Sequence, residues 1–342
     1  MSKSNKVKNG FFKTQVDRFG QNPYIKASEE VVKLVPFKTD LSKVTVENLN
    51  LVSISLPYIE SEDFDLKSND LDYPLNHVIV KYSNSYRKNL LKQFKKALLY
   101  AVEKYKANVI CINELGMPTN INGIENKNAI NFAKKIANEH NCLIIAGSNH
   151  TTEGYFNVGY VFYPGLDNDG NTHRAFLKNI GAFQIGEKLF TPSERLIFHT
   201  KAFGLGFSFM ICLEIADFSS SSTIVHNKEN TDILIVPTYL TSYGPIAKVA
   251  KTLSEACGGV LLNNCYKSND VPYSILYENG KLPSSRNSKM RKEVVLDDNT
   301  KIVLRRINVE DFVNRKEYKI ENLSKETRFL FGVDYSRRDD VS

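Results

Sequence analysis

Short apolar runs alternate with longer amphipathic stretches along most of this chain. Leu49–Leu56, Ala107–Ile112, Cys142–Gly147, Tyr155–Tyr163, Gly204–Ile211, Thr231–Pro237 and Val260–Asn263 are apolar almost throughout. Such runs predict strands covered on both faces, as in a sheet packed between other layers. Weaker runs at His77–Tyr82, Thr172–Leu177, Leu196–Thr200, Tyr273–Tyr277, Glu293–Leu296 and Ile302–Ile307 extend the set. Between them, Leu90, Leu91, Phe94, Ala97, Leu98, Ala101 and Val102 recur at helical spacing, with lysines on the other face. They predict a helix over Ser85–Tyr105. Ala129–His140 and Ala247–Cys257 read as helices in the same way. The alternation predicts an α/β fold.

The pattern fades in four places. Residues 1–47 are rich in Lys and Asn, with one apolar patch at Val31–Pro36, and read as an N-terminal extension or arm. Residues 60–76 carry Glu60, Glu62, Asp63, Asp65, Asp70 and Asp72 and read as an acidic surface loop. Residues 179–195, with Gly181, Gly186 and Pro192, read as a loop, and residues 316–342 as a charged tail. The main domain is therefore expected over residues 48–315.

Composition narrows the class. The chain is 42% apolar and 24% charged, ordinary for a globular protein. It has no apolar run of the ~18 residues that a membrane span needs. The basic start is not followed by an apolar signal core, so a cytoplasmic location is expected. The five cysteines form no CxxC pair, which argues against a zinc cluster or a disulfide framework. The net charge of +7 comes from scattered lysines, and a nucleic-acid partner is not expected.

Candidate chemistry collects at strand ends. The run Gly204–Ile211 stops at Cys212, where the pattern changes to that of a turn or short helix. Glu114 follows the strand Ala107–Ile112, and Lys178 follows Thr172–Leu177. In α/β folds, ligands bind at the carboxyl ends of strands. A carboxylate can take a thiol proton and return it to a leaving amine. An ammonium can lower the thiol pKa and hold an oxyanion, with the Leu213 N–H as a second donor. Attack by the thiol on an acyl carbon gives a thioester, which water cleaves. No histidine, metal or cofactor enters this scheme. Leu213, Tyr239, Leu240, Asn157 and Phe183 are the pocket-facing, substrate-binding candidates.

The order and context of these motifs resemble the nitrilase, or carbon–nitrogen hydrolase, superfamily. The resemblance rests on Val109-Ile-Cys-Ile-Asn-Glu114-Leu-Gly-Met-Pro118, Arg174-Ala-Phe-Leu-Lys178 and Met210-Ile-Cys-Leu-Glu-Ile-Ala-Asp217. Ile144–Ser148, Tyr155–Val158, Asp232–Pro237 and Val260–Asn264 support it. It implies a four-layer αββα sandwich, two central mixed β-sheets flanked by helices. It also implies a catalytic triad of Glu114, Lys178 and Cys212, with Glu187 as the family's second glutamate. The implied activity is hydrolysis of a non-peptide C–N bond in a small amide, by a homodimer or higher homo-oligomer with no membrane partner. Two alternatives stay open: transfer of the acyl group to an amine, and a divergent assembly or scaffold member of a multi-protein complex, such as a defence complex. Leu213, where many relatives carry Tyr, Glu or Trp, and the serine-rich stretch after Asp217 mark the chain as divergent.

Overall fold

The computed structural model describes residues 32–59, 63–68, 78–120, 122–123, 126–151, 156–180, 189, 195–240, 244–266, 274–281, 291–297 and 300–321. Two sheets dominate it. The first has, side by side, β1 (Val32–Pro36), β9 (Arg195–Ala202), β10 (Leu205–Phe209), β11 (Ile233–Pro237), β12 (Gly259–Asn263) and β13 (Ser274–Glu278). The second has β14 (Arg291–Asp297), β15 (Thr300–Asn308), β2 (Asn48–Ser55), β5 (Val109–Ile112), β6 (Leu143–Thr151), β7 (Phe156–Phe162) and β8 (His173–Leu177). Both are mixed. Parallel centres, β10–β11–β12 and β2–β5–β6, are bordered by antiparallel neighbours.

Helices α1 (Asn84–Tyr105) and α2 (Lys127–His140) cover the outer face of the second sheet. Helices α3 (Phe218–His226) and α4 (Gly244–Cys257) cover the first, and α5 (Val309–Glu321) packs on α4. The result is the αββα sandwich expected above.

Side-chain alternation explains the continuous apolar runs. Leu49, Leu51, Val109, Cys111, Leu143 and Ile145 face the core between the sheets. Their neighbours Val52, Ile54, Ile110, Ile112 and Ile144 face α1 and α2. Successive strand residues point to opposite faces, and here both faces are buried. The helices have local start and stop signals. The Ser83 hydroxyl accepts the Tyr86 N–H at the start of α1, and Asn126 does the same for Asn128 and Ala129 in α2. Lys106 and Asn141 close the two helices in the left-handed conformation.

The structure departs from the sequence reading in two places and adds to it in a third. Part of the acidic stretch is ordered: β3 (Phe64–Ser68) pairs antiparallel with β4 (Val78–Tyr82). The later part of the expected arm is built into the sandwich. β1 pairs with β9, Phe37 and Leu41 are fully buried, and the Phe37 ring packs 5.3 Å from that of Tyr163. The serine-rich stretch forms α3, because its polar groups are satisfied locally. Asp217 accepts the Ser220 N–H at 2.8 Å, and the Ser221 and Thr223 hydroxyls donate to the Ile215 and Ser219 carbonyls. Residues 322–342 lie outside the described residues. Among those described, no helix is long and apolar enough to cross a membrane.

Candidate active site

Glu114, Lys178 and Cys212 leave three different strands and meet at one point. Glu114 follows β5, Lys178 follows β8, and Cys212 follows β10 on the opposite sheet. The side chains of Glu114 and Lys178 are fully buried, with Lys178 Nζ 2.5 Å from Glu114 Oε1. Cys212 is also fully buried. Its thiol lies close enough to the Glu114 carboxylate, the Lys178 ammonium and the Tyr239 backbone N–H for each to bear on its titration. Burial pushes the thiol well above its ordinary pKa, and the negative charge of Glu114 pushes it further. The Lys178 ammonium and the Tyr239 N–H pull the other way. The resting arrangement is thus a neutral thiol beside a carboxylate.

The backbone is strained on both sides of this contact. Leu115 has φ 60° and Cys212 φ 51°, conformations that L-residues with bulky or branched side chains rarely adopt. Neighbouring groups hold the Glu114 turn. Asn113 accepts the Leu56 N–H at 2.8 Å, and its amide donates to the Glu114 carbonyl. The Ser148 hydroxyl accepts the Leu115 N–H at 3.3 Å. Ser148 follows Gly147, at an irregularity in β6, where φ is +73° and an added Cβ would lie 2.1 Å from the Asn113 carbonyl oxygen. Only glycine lets the two strands approach this closely.

Asn157 links two of the three groups. Its amide donates to Glu114 Oε1 at 3.1 Å, and its carbonyl accepts the Lys178 N–H at 2.8 Å. The structure therefore places Asn157 against the carboxylate, not merely beside a pocket. Leu213 is half-buried against the inter-sheet core, and Leu240 is buried. The Tyr239 ring stacks on Tyr58 at 5.1 Å, and its hydroxyl donates to the Ile59 carbonyl. It is the Tyr239 backbone that reaches the thiol. Glu187 and Phe183 lie outside the described residues.

Sequence reasoning missed several supporting groups. Glu214, two residues after the thiol, is buried and accepts N–H groups from Ile211 and Asn179. Asn264 holds the segment after β11 by accepting the Leu240 N–H and donating to the Leu240 carbonyl, each at 2.8 Å. Asn263 joins the sheets, its amide donating to the Ile54 and Cys111 carbonyls at 2.9 Å. The signal was the placement of a carboxamide or carboxylate directly after, or within, an apolar run. An open groove between β1 and α3, lined by residues including Leu34, Pro36, Ser222 and His226, holds none of these groups.

No protein-family model and no curated protein matches the sequence. Solved structures do match the fold. Nit3 of Saccharomyces cerevisiae, a member of branch 10 of the nitrilase superfamily, is 13% identical. The match covers 82% of this chain and 96% of that one, with a TM-score of 0.53. A carbon–nitrogen hydrolase from Helicobacter pylori G27 is 13% identical over 82% and 96% of the two chains, with a TM-score of 0.52. An amidase from Nesterenkonia sp. is 12% identical over 82% and 98%, with a TM-score of 0.51. The sandwich that carries Glu114, Lys178 and Cys212 is therefore the fold of the nitrilase superfamily.

Proposed function

We propose that this protein hydrolyses a non-peptide C–N bond of a small amide through a thioester on Cys212. The observation that carries the reading is the convergence of a carboxylate, an ammonium and a thiol, all fully buried, from three strand ends. Glu114 takes the thiol proton as sulfur attacks the acyl carbon. Lys178 holds the oxyanion that forms, with the Leu213 N–H as the second donor. The tetrahedral intermediate expels the amine, which takes the proton from Glu114. Water then attacks the thioester, again losing a proton to Glu114, and the carboxylic acid leaves as the thiol is restored. A thiol that is neutral at rest fits a mechanism in which the base acts during attack. Glu187 is the candidate to order substrate or water.

Small aliphatic amides are the first probes. One Nesterenkonia amidase mutant carries the acetamide moiety of fluoroacetamide covalently added at its active-site cysteine, and others are complexes with acrylamide and butyramide. The test is intact mass after incubation with an amide, acyl-amino-acid and nitrile panel, comparing wild type with Cys212→Ala and Glu114→Gln. An acyl adduct confined to proteins that retain Cys212 is expected, and its mass names the acyl group. Turnover that survives in Cys212→Ala would refute the mechanism. Added hydroxylamine separates transfer from hydrolysis by forming a hydroxamate.

A further inference from the structure

We propose that Glu214 is a positioning residue, whose carboxylate ties the turn carrying Cys212 to the residue after Lys178 and so sets the nucleophile against the ammonium. The inference rests on the hydrolase reading above. It starts from a gap in the fold. Lys178 leaves β8, an edge strand of the second sheet, whereas Cys212 leaves β10 of the first, and among the described residues no strand ladder joins the two sheets. Asn157 connects Lys178 to Glu114, within its own sheet. Asn263 connects the sheets, but at β2 and β5.

Glu214 spans this gap. Its Oε1 accepts the Asn179 N–H at 2.8 Å and the Asn179 side-chain amide at 2.9 Å. Its Oε2 accepts the Ile211 N–H at 2.8 Å. One carboxylate thus holds the residue before the nucleophile and the residue after the lysine. At 6% exposure, water competes little for these bonds. Three N–H donors suit the ionised, acceptor-only form of the carboxyl group. Burial raises its pKa, while these donors and the Lys178 charge oppose the rise. Glutamine keeps the shape but loses one acceptor, because its amide nitrogen cannot accept the Ile211 N–H.

The readout is the rate of Cys212 alkylation by iodoacetamide, followed by peptide mass mapping from about pH 6 to about pH 10, a rate that tracks the thiolate fraction. Cys212→Ala serves as the blank, and thermal melting checks folding. The charged groups facing the thiol are Glu114 from the end of β5 and Lys178 from the end of β8, while Glu214, on the thiol's own turn, directs its oxygens to Ile211 and Asn179. Two effects of Glu214→Gln have opposite signs. Removing a negative charge alone lowers the thiol pKa. Releasing the turn from Lys178 raises it. We expect the rise, by about one unit, and so about tenfold slower alkylation near neutral pH in a folded variant. Asn179→Ala keeps the charge and should shift the profile the same way by less. A Glu214→Gln profile that matches wild type or moves downward overturns the clamp. If Glu214→Gln fails to fold, Asn179→Ala decides: an upward shift supports the clamp and an unchanged profile overturns it. If Cys212 of the wild type does not react at any pH, the hydrolase reading falls and takes the clamp with it. A reactive wild type with unmoved variants refutes the clamp alone.

Discussion

Among the described residues, a lysine, a carboxylate and a cysteine come together twice. Lys178, Glu114 and Cys212 meet at the strand ends. Lys316 on α5, Asp232 before β11 and Cys257 at the end of α4 meet beneath the first sheet. Both lysines lie close to their carboxylates, 2.5 Å and 2.6 Å, and both cysteines are fully buried. What differs is where the bonds end. Lys316 donates to the Lys228 and Thr231 carbonyls as well as to Asp232. The other Asp232 oxygen accepts the Gly206 N–H at 2.6 Å. The Cys257 thiol donates to the Leu253 and Gly259 carbonyls, as a helical cysteine commonly does. This trio ends on backbone groups that do not titrate. In the other, the thiol sits in the field of a carboxylate and an ammonium, at a backbone φ of 51°. The residue types in a cluster do not decide its chemistry; their partners do.

The largest effect should come from the two thiols. Cys212→Ala should lower amide turnover by about 10⁴-fold or more, as removal of a nucleophile that acts with its partners as a unit does. Cys257→Ala should leave turnover per folded molecule unchanged and cost about 1 kcal/mol of stability. Steady-state assays with urea titration check both. Equal losses in the two variants would erase the distinction.

The lysines come next. Lys178→Met and Lys316→Met each strand a carboxylate in a buried or mostly buried place, and each should cost about 3–5 kcal/mol in urea unfolding. Only Lys178→Met should also lower turnover of the folded fraction, by about 10²–10³-fold, as loss of an oxyanion partner does. Asn157→Ala tests a finer point. Its amide faces Glu114, so kcat should fall about tenfold with KM little changed. A rise in KM at constant kcat would return Asn157 to the substrate-binding role read from the sequence.

How far the sequence carried this comparison follows from geometry. Buried strands print themselves as apolar runs, and a charged residue directly after such a run is conspicuous. Glu114, Lys178 and Cys212 are all of that kind. Lys316 is not: it sits in a charged helix among Arg315 and Glu317, and only the docking of α5 buries it. Glu214 sits in a turn of ambiguous period, and its partner Asn179 is a long way off in sequence. Asn157 reads from the sequence as a pocket-facing residue, because its bond to Glu114, two strands away in the same sheet, is invisible to a period count. The Asp217–Ser222 stretch lacked helical periodicity because its hydroxyls, not apolar spacing, satisfy the helix.

The smallest expected effect is one in which the two trios should behave alike. Burial raises the Cys257 pKa to about 12 and Cys142 likewise, and it raises Cys212 and Cys111 as well. Below the ordinary thiol value of 9.0, folded and unfolded chains both keep the proton, and the full stability is present. As pH rises past that value, the unfolded chain loses protons that the folded chain retains. The unfolded state then binds fewer protons, so stability falls toward the folded pKa. Each buried thiol should contribute a slope of about 1.4 kcal/mol per pH unit above about pH 9. Urea midpoints measured across that range should flatten by one such slope in Cys257→Ala and by the same amount in Cys212→Ala. Desolvation acts on both sulfurs alike, so stability cannot tell them apart, and only the rate of attack on an electrophile can. A slope that flattened in Cys257→Ala but not in Cys212→Ala would mean that the Cys212 thiol is already ionised in the folded protein. Glu114 would then have no thiol proton to take, and the first step of the proposed mechanism would have to be rewritten.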